Sequence, residues 1–321
     1  MTGRPRTVFF GSGAFAVPTL EALAGSPDVE LVGVVSTPDR PAGRKAAVSA
    51  TPVARRAREL GLTLLQPERL RDPDAVAAIG ALKPALGVLA DYGKIVPPAI
   101  LDLPGLGILN VHPSLLPRWR GAAPIPATIS AGDGETGVTL IRMDAGLDTG
   151  PIVAVQRWLL DGTETGPDLE ARAATTGAAL LLRTLDPWIS GAVAPRPQGD
   201  LGVTLTRPLR RADGFIDTSR SAVDLERQVR ALQPWPGSFL ETGAGRLVIW
   251  RAGAGPNEPG DRAGTLVADG DGLAVVASPG RLRLVEVQPA GGRRMSAAEL
   301  LRGRPGILRS SAETAWENPG R

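Results

Sequence analysis

The chain has 321 residues, 43% hydrophobic and 21% charged, enough for two domains with cores of their own and against wholesale disorder. With no cysteine and one histidine, disulfides, thiolate nucleophiles and thiolate or multi-imidazole metal sites are excluded. The net charge of +3 is modest, and Lys45, Lys83 and Lys94 are the only lysines among 36 basic residues, so the positions of the arginines carry more information than their number. No stretch approaches eighteen apolar residues. "MTGRPRTVFF" enters a strand-like run without the apolar core of a signal peptide, so the expected compartment is the cytoplasm.

In chain order, strands are predicted at 7–12, 30–37, 62–66, 85–91, 107–112, 138–143 and 152–160, with helices at 17–25, 51–60, 74–82 and 123–132 between them. Strands apolar on both faces and separated by helices indicate βαβ units and a largely parallel sheet. A long amphipathic helix follows from Asp168, with Gly191 as its stop. "AVAPRPQGD" (192–200) has the composition of a linker, and the domain boundary is placed near 205. Beyond it come one helix (221–232) and short strands at 237–242, 246–253, 272–278 and 281–288, whose glycine turns suggest a small β-barrel or sandwich. The tail from Ala312 is expected to fray.

"GSGAFA" (11–16) follows the first strand and fits G-x-G-x-x-G/A, a pyrophosphate-binding turn. A dinucleotide site also needs an acid at the end of the second strand. Asp39 instead falls three residues past that strand, in a loop rich in proline and arginine, so a plain tight turn is the better reading. Ser114 has no nucleophile-elbow context and reads as a loop serine.

His112 ends a predicted central strand, where open α/β sheets place their ligands. Asn110, two residues earlier, points to the same side of an extended strand. The next strand leads into "MDAGLDTG" (143–150), a glycine-bounded loop with Asp144 and Asp148 expected to emerge at the same sheet edge. An amide, an imidazole and a carboxylate meeting there suit acyl transfer without an enzyme nucleophile.

"NVHPSLLPRWRGAAP" (110–124) followed by "GVTLIRMDAGLDTG" (137–150) resembles the paired signature of the folate-dependent formyltransferases. "TPDRPAGRK" (37–45) resembles a tRNA-contacting insertion found in that family, and "QPWPGSFLE" (233–241) and "VQPAGGRRMSAAELL" (287–301) resemble parts of a C-terminal barrel. The resemblance implies a Rossmann-like, mostly parallel catalytic domain over 1–205, with a linker at 192–205, and an OB-like, tRNA-binding β-barrel over 206–321. It implies formyl transfer from 10-formyltetrahydrofolate to the amine of initiator methionyl-tRNA by a cytoplasmic monomer, with no metal and no membrane partner. Asn110, His112 and Asp148 correspond to the catalytic triad, with Asn110 and a protonated His112 stabilising the oxyanion and Asp148 holding His112. Ser114, Leu115, Leu116, Pro117, Asp91, Tyr92, Gly93 and Asp144 border the folate pocket, and Arg40, Arg44 and Lys45 contact tRNA.

Arg55, Arg56 and Arg58, and a track at 207, 210, 211, 293 and 294, could extend the basic surface or be solvated faces. The loop at 37–50 is expected to be mobile without tRNA. This chain departs from the family pattern around 205–218, where Arg and Ala replace Lys and Glu and Thr218 stands where a tryptophan is common. The rival readings are a sugar-nucleotide formyltransferase, a formyltetrahydrofolate hydrolase, a dinucleotide-dependent oxidoreductase and a tRNA-binding module without catalysis.

Overall fold

Strands with two apolar faces must be covered on both sides, and helices between parallel strands supply that cover. The computed structural model describes residues 3–42, 47–309 and 311–312, in two compact units. The first comprises 1–124, 135–159 and 170–206; the second comprises 125–134, 160–169 and 207–321.

The elements of the first half are β1 (Arg6–Gly11), α1 (Val17–Gly25), β2 (Glu30–Val35), β3 (Arg40–Ala42), β4 (Ala47–Ser49), α2 (Pro52–Glu59), β5 (Leu64–Leu65), α3 (Pro73–Ala81), β6 (Leu86–Ala90), α4 (Pro98–Leu101), β7 (Ile108–His112), β8 (Arg120–Gly121), α5 (Pro124–Ala131), β9 (Glu135–Arg142), β10 (Ile152–Leu159) and α6 (Gly166–Ile189). The main sheet runs β10-β9-β7-β6-β1-β2-β5. Five strands, β5, β2, β1, β6 and β7, are parallel, as their flanking helices require, and β9 and β10 form an antiparallel edge. α6 lies against this sheet at Gly177, where a Cβ would stand 2.6 Å from Val111. Trp188 on α6 donates to the Leu106 carbonyl (3.1 Å).

Two expectations change here. β9 pairs with β7 antiparallel, with Leu109 opposite Arg142 and His112 opposite Thr139. The loop after β9 therefore leaves at the amino end of β7, not at His112's end, and must fold back to reach His112. The predicted strand at 62–66 shrinks to two residues, because Leu64 and Leu65 pair only with the end of β2.

The "GSGAFA" turn sits where the strand order reverses between β1 and β6, the place a dinucleotide would occupy. Its Ser12 and Gly13 amides already donate to the Asp91 carbonyl (2.9 and 3.2 Å), and a Cβ on Gly13 would lie 1.6 Å from Asp91 Oδ2. Asp39 accepts from Gln66 Nε2 (2.7 Å) and Arg58 (2.9 Å), bonds that hold its pKa below 3.8. With amides and acid both occupied, the turn is a structural closure.

The segment at 37–50 contains β3 and β4, which pair antiparallel from Arg40↔Ser49 to Ala42↔Ala47. Arg44 and Lys45 lie outside the described residues, and the expected mobility of the loop rests partly on them. The stretch read as a linker is hydrogen-bonded along the first unit: Arg196 and Ile152 exchange backbone bonds (2.8 and 2.7 Å), and β11 (Leu205–Thr206) pairs parallel with β8.

The second unit contains α7 (Ala222–Ala231), β12 (Ser238–Leu240), β13 (Leu247–Gly255), β14 (Leu266–Asp269), β15 (Gly272–Val276), β16 (Arg281–Pro289), β17 (Met295–Ser296) and α8 (Ala297–Gly303). Its antiparallel sheet runs β12-β13-β16-β15-β14, with β17 on β16. Bridges from Ser311 to Thr265 and from Ala312 to Thr242 tie the two edges together. Ala312 is therefore buried and paired, contrary to the expectation that the tail frays from there; residues 313–321 lie outside the described set. α7 and α8 pack Leu225, Val229 and Leu300 onto a core of Ile249, Val275, Leu282 and Val287.

Thr218 is buried in this unit and its hydroxyl has no partner among the described residues. A buried hydroxyl without a hydrogen bond costs about 1–3 kcal/mol, and valine replaces it by a methyl of similar shape. Thr218→Val is expected to raise stability by about 1 kcal/mol in urea unfolding with unchanged m; a destabilised variant would show that the hydroxyl is satisfied.

Candidate active site

β7 carries Asn110 and His112 two residues apart, so both side chains stand on one face of the sheet, 6% and 5% exposed. The folded-back loop brings Asp148 to them. Asn110 Nδ2 donates to Asp148 Oδ1 (3.2 Å), and the Gly121 amide donates to Oδ2 (2.8 Å). His112 Nδ1 lies 3.7 Å from Oδ2. The other ring nitrogen, Nε2, faces the Trp119 carbonyl at 3.0 Å. A carbonyl only accepts, so Nε2 carries the hydrogen and Nδ1 presents the lone pair of the neutral ring.

The backbone is strained around this point. Asp91, Trp119 and Asp148 have φ of 42°, 60° and 52°, three of four non-glycine residues in the left-handed region among the described residues. Such conformations cost about 1–3 kcal/mol each and persist where the surroundings fix them. Gly121, at φ 106°, is held by a tighter constraint: a Cβ there would stand 2.2 Å from the Thr206 carbonyl oxygen. Only glycine can bring this amide to Asp148.

Ser114 is fully buried and its hydroxyl donates to the Arg118 carbonyl (2.6 Å), closing the 114–118 turn. Thr139 links that turn to β9 by donating to the Ser114 carbonyl (2.7 Å) and accepting from the Leu116 amide (3.2 Å). Leu116 is buried, and Leu115 and Pro117 are half-buried. The pairing of Leu89 with Asn110 places Asp91 level with His112 at the carboxyl edge of the next strand. The Asp91 carboxyl lies against Gly13, and burial raises its pKa above 3.8; Glu170 is raised too, by burial and then by the charge of Asp91.

Tyr92 turns away from this edge, 1% exposed in the core and edge-on to Phe10 at 5.9 Å. It can border a pocket only through its backbone. Gly93 is exposed beside it. Asp144 is exposed and accepts from the Gly146 amide (3.0 Å) and Thr149 Oγ1 (2.7 Å), shaping the loop that carries Asp148.

The basic residues are not brought to this cluster. Arg40 is exposed on β3, whereas Arg56 pairs with Glu21 and Glu59 (2.7 and 2.9 Å) and Arg58 pairs with Asp39. In the second unit Arg207 binds Asp213, Arg293 lies 3.9 Å from Glu299, and Arg294 stacks 3.3 Å over Trp250. Sequence reasoning missed Gln198, Arg120 and the Trp119 carbonyl. A glutamine in a proline-rich stretch and a main-chain carbonyl carry no sequence signal of their own.

The formyl transferase family matches residues 5–185, and its C-terminal domain matches residues 208–305. The chain belongs to the formyl transferase family. It is 45% identical over 306 residues to a methionyl-tRNA formyltransferase of Roseiflexus sp. (strain RS-1), covering 93% of this chain and 92% of the relative. It is 46% identical over 300 residues to the methionyl-tRNA formyltransferase of Halorhodospira halophila, covering 93% and 96%. An N-formyltransferase structure from Helicobacter canadensis, in complex with folinic acid and dTDP-3-aminofucose, superposes with a TM-score of 0.63 at 14% identity, covering 91% of this chain and all of that one; the likeness is one of fold.

Burial pushes the His112 imidazole below its usual 6.5, and the Asp148 charge and the Trp119 hydrogen bond oppose this only in part. Burial thus favours the neutral ring, opposite to the protonated His112 that the resemblance implies. His112 being the sole histidine, its ring nitrogens can be followed without assignment. A 15N correlation spectrum at pH 7 is expected to show the neutral Nε2–H tautomer, with a titration midpoint below 6.5. A midpoint above 6.5 would reverse the resting charge.

Proposed function

We propose that this chain transfers the formyl group of 10-formyltetrahydrofolate to the free α-amine of initiator methionyl-tRNA for translation initiation. The observation that carries the chemistry is an amide, a carboxylate and an unprotonated imidazole nitrogen converging on one buried point, beside a serine whose hydroxyl is already bonded. This set suits direct attack by a substrate amine.

Each residue has one role. Asn110 Nδ2 gives one hydrogen to Asp148 and has a second for the oxygen of the formyl carbon, whose negative charge grows as the amine attacks. His112 Nδ1 takes the proton the amine must lose and returns it to the departing folate nitrogen as the carbon–nitrogen bond breaks. Asp148 stabilises the imidazolium formed between those two transfers, which burial otherwise disfavours. The 10-formyltetrahydrofolate supplies the activated carbonyl, and Ser114 to Pro117, Asp91 to Gly93 and Asp144 border its pocket, Tyr92 through its backbone.

Arg40, with Arg44 and Lys45, binds tRNA phosphate. Of the described basic residues between 40 and 58, Arg56 and Arg58 are held in ion pairs, whereas Arg40, on β3, and Arg55 are exposed. The chain acts as a monomer in the cytoplasm; among the described residues no helix is long and apolar enough to cross a membrane.

The test is formyl transfer from 10-formyltetrahydrofolate to charged initiator methionyl-tRNA, with uncharged tRNA and an amino-sugar nucleotide in parallel. Product on the charged tRNA alone is expected, and product only on the sugar, or formate release without acceptor, would refute the reading. His112→Ala is expected to lower kcat by about 10²–10⁴ with folate and tRNA affinity nearly unchanged. Arg40→Ala is expected to weaken tRNA binding and reduce the slope of log K against log salt by about one. An unchanged slope would assign Arg40 to solvent.

A further inference from the structure

Between the two stretches that match the family, residues 186–207 contain a side chain with every hydrogen-bonding position in use. Gln198 Nε2 donates to the carbonyls of Asp148 and Gly150, both at 2.7 Å. Gln198 Oε1 accepts from Arg120 Nε (3.1 Å) and Nη2 (2.7 Å). The partners fix the orientation, because carbonyls only accept and a guanidinium only donates.

We infer that Gln198 is a positioning residue for formyl transfer, clamping the loop of Asp148 to the loop of Gly121 so that the Asp148 carboxylate stays aimed at Asn110 and His112. Two loops build the site. One carries Asp148, in a left-handed conformation, and Gln198 holds both its carbonyl and that of Gly150 two residues on. The other carries Trp119, whose carbonyl fixes His112 Nε2, and Gly121, whose amide fixes Asp148 Oδ2. Arg120 lies between those two residues, so the bridge from Asp148 through Gln198 to Arg120 closes a ring that includes the carboxylate itself.

The same segment tightens the second loop at other points. Thr204 Oγ1 accepts from the Trp119 amide (2.8 Å), and Thr206 Oγ1 accepts from the Ala123 amide (3.0 Å) and donates to the Arg120 carbonyl (3.1 Å). The chain that leaves the catalytic unit is thus also the strap across its catalytic loops. A misplacement of 1 Å at a reacting group can lower a rate by about 10²-fold, so the clamp acts on kcat.

The inference rests on the assignment of Asp148 above, and its test separates the two. Full-length Gln198→Leu removes all four bonds. Gln198→Glu keeps the pair with Arg120 but turns an oxygen toward the two carbonyls. Both variants are expected to lose about 10–100-fold in kcat with KM for each substrate within about twofold. In both, the His112 titration midpoint is expected to fall further, because Asp148, the charge that holds it up, is no longer fixed beside the ring.

Wild-type kcat and an unmoved His112 titration in either variant would overturn the inference. So would an active Gln198→Glu beside an inactive Gln198→Leu, which would reduce Gln198 to an anchor of the strap through Arg120. If Gln198→Leu fails to fold, the Glu variant decides alone. The titration needs no substrate, so a wild-type protein inactive in formyl transfer would sink the functional reading and leave this test standing.

Discussion

A carboxylate removed from water must find a hydrogen-bond donor for each oxygen or give up its charge. Asp148, with a side chain 14% exposed, finds them in the Asn110 amide and the Gly121 backbone, with His112 Nδ1 3.7 Å away. Most of the first unit's unusual features serve that requirement. Gly121 must reach a conformation closed to other residues, Asp148 must sit in the left-handed region, and the antiparallel β7–β9 pair must return its loop over the sheet. Packing and hydrogen bonds elsewhere hold the strain.

The parallel part of the sheet supplies the platform. The strand order places two adjacent carboxyl ends, those of β6 and β7, beside each other, so Asp91 and His112 face one edge. The crevice where a dinucleotide would bind is filled by the chain's own groups, with the Asp91 carbonyl taking the turn amides and Gln66 and Arg58 taking Asp39. The first turn thus braces the loop that follows β6. The buried polar cluster lies instead on β7, at Asn110 and His112.

Several arginines are paired within the chain. Arg56, Arg58, Arg207 and Arg281 all lie against carboxylates, and Arg294 lies on an indole. Those arginines are engaged by the chain's own groups. What distinguishes Arg40 is its exposure on a hairpin.

The sequence by itself determined the element types of the parallel sheet, the long helix ending near Gly191 and the pairing of Asn110 with His112, because these follow from periodicities of 2 and 3.6 residues within one segment. The paired motifs also named Asp148, though the antiparallel path of β9 releases its loop at the amino end of β7, from which it must fold back to reach His112. Tertiary structure alone decided the direction of β9, the inward turn of Tyr92, the closing bridges at 311–312 and the part played by Gln198. Each depends on which distant backbone groups meet, here residues 48 to 85 positions apart for the bonds of Gln198 and Thr204. Strand direction and hydrogen-bond partners between distant segments are settled by packing the whole sheet, and no local pattern of side chains records them.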